Sequence, residues 1–91
     1  MTGDLIWVFH SENARFAGGT FSDQKVAEEW ILKHSLTGLL TAYPINCGVF
    51  DWAVENEYFN PKKDLHKTPN FIGGFTSASQ EHYHYENGKI A

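Results

Sequence analysis

The 91-residue chain has one cysteine, Cys47, and lacks the run of about 20 apolar residues that a membrane-spanning helix needs. A single cysteine excludes an internal disulfide, which is typical of proteins from a reducing compartment. The first residues, MTGDLIWVF, lack the basic start of a secretory signal and have an early acid. These absences predict a soluble cytoplasmic protein without a membrane partner.

Basic residues are also scarce. Seven Lys and Arg stand against eleven Asp and Glu, a net charge of −4, and no base occurs between residues 37 and 60. Binding to nucleic acid needs a clustered basic face, so a nucleic-acid partner is not expected. Opposite charges steer protein encounters, so a basic protein is the better match.

Aromatic residues are plentiful, at 15% of the chain, and large rings let a small core form from few side chains. The length predicts a single domain over residues 1–91. Hydrophobic periodicity predicts strands over residues 4–10, 39–44 and 79–88, and helices over residues 22–34 and 49–59, with Ser22 as the first N-cap. The expected fold is α+β, a small antiparallel or mixed sheet of three to four strands with two helices packed on one face.

The segment SQEHYHYENG, residues 79–88, is the most unusual part of the chain. On a strand, His82 and His84 point to one side and Tyr83 and Tyr85 to the other. The alternation is ordinary for a half-buried strand whose tyrosines pack under a helix. It also permits a metal site, a catalytic site or a binding surface on the histidine side.

The chemical alternatives lack complete residue sets. Zinc needs three or four ligands, and only His10 and Glu86 are candidates to join the two histidines. A nucleophile at Cys47 needs a histidine and an orienting group, and no oxyanion donors can be assigned. We therefore predict no enzyme activity, no cofactor and no metal.

A protein-binding surface does not require a complete set of metal ligands or catalytic residues. Gln80, His82, His84 and Glu86 would form a polar stripe, and an acidic ridge on the second helix would flank it. The predicted partner-binding residues are Asp51, Glu55, Glu57, His82, His84 and Glu86. The ridge alone is more typical of a solvated helix face than of a binding site.

The segments VAEEWILKHSLTG, LTAYP, FDWAVENEYF with PKK, and FTSASQEHYHYENG together resemble a family of small bacterial domains without a settled biochemical function. The likeness runs from about residue 5 to residue 88. Stand-alone members look similar to immunity proteins, including those of contact-dependent growth inhibition systems. The resemblance implies a protein that binds and neutralises a cognate toxin domain, such as a ribonuclease, and it supplies no catalytic residues. The alternative is a small regulatory or metal- or ligand-binding domain that uses the face of His82 and His84.

Overall fold

The computed structural model describes residues 4–91 and confirms the α+β class. Five strands and three helices follow the order β1, β2, α1, β3, α2, α3, β4, β5, with a short 3-10 helix before α3. Their bounds are β1 Leu5–Ser11, β2 Gly19–Phe21, α1 Gln24–Lys33, β3 Gly38–Pro44, α2 Val49–Glu55, the 3-10 helix Asp64–Lys67, α3 Pro69–Gly73, β4 His82–Glu86 and β5 Lys89–Ile90.

All strands pair antiparallel in one sheet, in the order β2-β1-β3-β4-β5. The expected count of three to four strands is wrong, because each end of the sheet gains a short hairpin strand. Asn87 and Gly88, both with positive φ, form the tight turn that returns β5 onto β4. β2 and β5 form the two edges of the sheet. Because both are short, each edge exposes few unpaired backbone N–H and C=O groups.

The chain divides into two compact units. The first unit runs to Ile45 and includes Gln80–Ala91, so it contains the whole sheet and α1, and Asn46–Ser79 form the second. The core of the first unit joins one face of the sheet to α1. Its buried members are Trp7, Phe9, Ala27, Ile31, Leu40, Ala42 and Tyr85.

Helix α1 begins later than predicted. Its N-cap is Asp23, whose carboxylate accepts a hydrogen bond from the Val26 backbone N–H at 2.9 Å, so the expected cap at Ser22 is wrong. On α1, Ala27 and Ile31 are buried, whereas Val26, next to Ala27 in the sequence, is 47% exposed. The helix therefore meets the sheet through a narrow apolar stripe.

The second unit is held by aromatic side chains. The rings of Phe50, Phe59, His66, Phe71 and Phe75 contact one another with centroids 4.9–6.3 Å apart. Helix α2 ends four residues before the predicted boundary at residue 59. Residues 60–70, for which periodicity predicts neither helix nor strand, include the 3-10 helix and the start of α3. These rings come from segments that are not adjacent in the sequence, so their packing cannot be predicted from the local hydrophobic pattern.

Gly38 lets β1 and β3 approach closely at one end of their pairing. A Cβ at this position would lie 2.3 Å from the His10 carbonyl oxygen and 2.7 Å from Cζ of Phe9. Both neighbours belong to buried or hydrogen-bonded parts of β1, so neither moves without disturbing the sheet. Only glycine fits this position without displacing the strand.

We expect Gly38→Ala to lower the free energy of unfolding by about 3 kcal/mol, at the upper end of the cost of overpacking, because a backbone carbonyl must shift. Gly73→Ala is the matched control, since no atom lies within 4 Å of its added Cβ. Urea unfolding followed by circular dichroism measures both. Equal unfolding curves for the two variants would contradict the close-approach argument.

Candidate functional site

Strand β4 has the sidedness that its sequence predicts. His82, His84 and Glu86 are exposed, Tyr83 is half-buried and Tyr85 is buried at 4% exposure. The strand therefore places its tyrosines on the side of α1 and leaves a polar row on the opposite side of the sheet.

Two phenol–carboxylate hydrogen bonds hold this orientation. The Tyr85 hydroxyl donates to Oε2 of Glu28 on α1 at 2.6 Å, and the Tyr83 hydroxyl donates to the Glu81 carboxylate. Burial, and then the bond to Glu28, raises the pKa of Tyr85 above its ordinary value, and the bond to Glu81 raises the pKa of Tyr83. Tyr85 consequently stays neutral and keeps β4 attached to α1.

The strand register brings the histidines of β1 and β4 onto one face. His84 pairs with Leu39 of β3, and Leu39 pairs with His10 of β1, so the three form one row across the sheet. His82 lies in the next row of the same face, opposite Thr41. We call the exposed side chains of His10, His82, His84 and Glu86, with Leu39 between the two strands' histidines, the histidine face.

A shallow depression of about 330 Å³ lies at the end of this face. His10 and Glu12 line one side, His84 and Tyr85 line the other, and Leu39 lies between them. An apolar centre with a few polar groups around it is the usual composition of a site that receives a side chain or a small ligand.

The hydrogen bonds of the three histidines differ. His10 donates through Nε2 to the Ala14 carbonyl at 2.9 Å, which ties its ring to the β1–β2 loop. His82 donates through Nδ1 to the Gln80 carbonyl at 2.7 Å, since a carbonyl only accepts. No protein group among residues 4–91 hydrogen-bonds the His84 ring, whose contact is with the ring of His82.

Gln80 is not part of the polar surface that its spacing predicts. It is buried at 3% exposure, and its side-chain amide donates to the Ala42 carbonyl at 3.2 Å. The residue precedes β4 and therefore does not follow the alternation of the strand. Its amide satisfies a backbone group of β3 and anchors the entry to β4.

The predicted acidic residues lie in the second unit. Asp51 and Glu55 are exposed one turn apart on α2, and Glu57 is exposed after the helix with a φ of 62°. The six predicted partner-binding residues thus form two groups, three acids in one unit and His82, His84 and Glu86 in the other. All six side chains are exposed, and their role in binding stays a prediction.

Among residues 4–91, neither the metal site nor the Cys47 nucleophile considered from the sequence has a complete set of residues. Within residues 4–91, no three His, Cys, Asp or Glu side chains converge on a possible metal position, so His10 and Glu86 do not complete a site with the other two histidines. The Cys47 thiol donates to the neighbouring Gly48 carbonyl at 3.4 Å.

Within residues 4–91, every helix is too short or too polar to cross a bilayer.

Glu28 is the residue of this region that sequence reasoning missed. It lies on α1, 57 positions before Tyr85, and no local signal connects the two. Gln24, one turn earlier on the helix, donates a hydrogen bond to the Glu28 carboxylate. This spacing is typical of an ordinary helix surface and does not indicate the contact with Tyr85.

We expect Tyr85→Phe to lower the free energy of unfolding by about 1–2 kcal/mol at neutral pH, because the bond to the Glu28 carboxylate is lost. The raised pKa means that the bond contributes below the unfolded-state pKa near 10, and that the contribution is lost as the pH rises above it. The stability difference between wild type and variant should therefore shrink above about pH 10. Urea unfolding at several pH values tests this, with Tyr58→Phe, at an exposed tyrosine, as the control. A difference that is absent at neutral pH, or constant with pH, would contradict it.

Comparison with protein families gives one match. A family model described as a domain of unknown function (DUF7710) matches residues 6–91, nearly the whole chain. No curated protein and no solved structure matched the chain. The match covers the same part of the chain as the resemblance described above, and the likeness to immunity proteins stays a prediction. The chain therefore belongs to the DUF7710 family, a family of domains of unknown function.

Proposed function

We propose that the chain is an immunity protein that binds a cognate bacterial toxin domain and blocks its active site or its access to substrate. The observation that carries the proposal is the histidine face. It presents His82, His84 and Glu86, all exposed, on a strand of a five-stranded sheet. The resemblance to immunity proteins supplies the kind of partner.

The geometry of the face suits protein binding. Imidazole rings give contact area and hydrogen bonds while losing few rotamers, and sheet strands hold them in fixed positions. The depression beside His84 has Leu39 at its centre, and a pocket of this kind receives an anchoring side chain from a partner. A binding surface uses these features without requiring a nucleophile or a third metal ligand.

Charge supports a basic partner. The first unit carries seven acidic residues against four basic ones, and the second carries four against three. Nuclease clefts that bind phosphates are positive, so an acidic protein is steered toward them and competes with the substrate there. A nuclease toxin, such as a ribonuclease, is the partner class that this complementarity favours.

Growth rescue tests the proposal. The C-terminal region of the protein encoded immediately upstream is expressed alone and together with this chain, and growth is measured. We expect the fragment to stop growth and the chain to restore it. A variant with His84→Asp places a new charge at the centre of the face and should reduce rescue, whereas Lys62→Ala, in the loop before the 3-10 helix, should rescue fully. A harmless fragment, or failure of the wild-type chain to rescue, would contradict immunity function.

The acidic group makes a separate kinetic prediction. We expect Asp51→Asn, Glu55→Gln and Glu57→Gln together to slow association with the toxin domain about tenfold at low salt while leaving dissociation nearly unchanged, because solvent-exposed charges act mainly on the encounter. Stopped-flow fluorescence over a range of salt concentrations measures the rates. Glu29→Gln with Asp64→Asn is the control, since both acids are exposed and outside the predicted set. Equal slowing per charge removed, with two charges removed in the control and three in the variant, would show that net charge, and not this group, steers the partner.

A further inference from the structure

His82 and His84 lean toward each other on the exposed face of β4. Side chains two residues apart on a strand are separated by about 6.7 Å along it, from the rise per residue. The centroids of the two rings are only 5.7 Å apart, with the ring planes nearly perpendicular at 82°. Two imidazoles that bind one metal ion through nitrogens at about 2.0–2.1 Å have centroids roughly 5 Å apart.

The tautomer of His82 is fixed in the form that metal binding needs. Its Nδ1–H donates to the Gln80 carbonyl at 2.7 Å, so the lone pair is on Nε2. A metal-binding histidine commonly donates its other ring N–H to a backbone carbonyl or a carboxylate in this way, which orients the ring and raises its basicity. Gln80 is itself held by the bond from its buried side-chain amide to Ala42, so the accepting carbonyl belongs to a well-anchored residue.

His84 supplies the second nitrogen. Its ring is exposed and has no hydrogen bond to any protein group among residues 4–91, so no protein bond opposes its rotation toward the ion. His10, in the same row of the sheet, differs because it lies on β1, with β3 between it and β4, and no third ligand converges with the pair among residues 4–91. The two imidazoles of β4, by contrast, already contact each other.

We propose, against the prediction of no metal made from the sequence, that His82 and His84 together chelate one divalent transition-metal ion of the zinc, nickel or copper type. Imidazole nitrogens suit these ions, whereas Mg²⁺ prefers oxygen ligands. Water molecules complete the coordination, because no third protein ligand converges there within the described residues. The protein's net charge of −4 favours a cation. Metal binding by this pair does not require the proposed immunity function.

Titration of the full-length protein without a histidine tag tests the site. Isothermal titration calorimetry with ZnCl₂ should show one ion bound per chain, with no heat from MgCl₂. We expect His82→Gln and His84→Gln each to weaken zinc binding by about 100-fold, because a single ligand loses the advantage of chelation. His10→Gln is the matched control and should bind zinc like the wild type. Binding should weaken on acidification, because a protonated imidazole does not bind metal.

Nitrogen NMR of the histidine side chains gives a readout that is independent of affinity. In the metal-free protein His82 should carry its proton on Nδ1, and zinc should shift the signals of His82 and His84 and leave those of His10 in place. The proposal is overturned by a His82 proton on Nε2, by absence of zinc binding to the wild type, or by undiminished binding to the variant with both His82→Gln and His84→Gln. Equal weakening by His10→Gln would also overturn it.

Discussion

The pairing of β1 with β3 is the constraint on which the rest of the first unit depends. Seven residue pairs join the strands, and β3 is also the neighbour of β4, so its register sets the register of three strands. A shift by one residue would turn Leu40 out of the core and reverse the facing of the whole strand. Gly38 opposes such a shift, because a residue with a side chain in its place would meet the β1 backbone.

The burial of the β4 tyrosines on one side of the sheet determines that the β4 histidines are exposed on the other. Tyr85 is buried against α1 and bonded to Glu28, and Tyr83 packs beside Trp7 with ring centroids 6.0 Å apart. Since successive strand residues face opposite ways, burying the tyrosines leaves the histidines no other side. The contacts that bury the two tyrosines thereby also orient the histidine face. No additional contacts are needed to keep that face exposed.

Much of this face could be predicted from the sequence, because period-two alternation is a local property and His-Tyr-His-Tyr has it without ambiguity. Long-range features could not. Gln80 fits the same alternation as a sequence pattern, yet it lies before the strand and its amide donates to the Ala42 carbonyl, 38 residues away. The sequence pattern does not determine the start of α1, because Ser22 and Asp23 are both good caps and only the hydrogen bond from Val26 decides between them. Aromatic packing in the second unit depends on contacts between segments that appear irregular in sequence.

Metal binding and protein binding at the histidine face are thermodynamically linked, because both proposals use His82 and His84. A two-histidine site leaves coordination positions to water, and a partner that supplies a third ligand would raise the affinity for the ion. By reciprocity, the ion would then strengthen the complex by the same factor. A partner that instead covers Nε2 of His82 with apolar or hydrogen-bonding groups must expel the ion, and the coupling changes sign. The direction of that coupling therefore reports what the partner places against the two imidazoles.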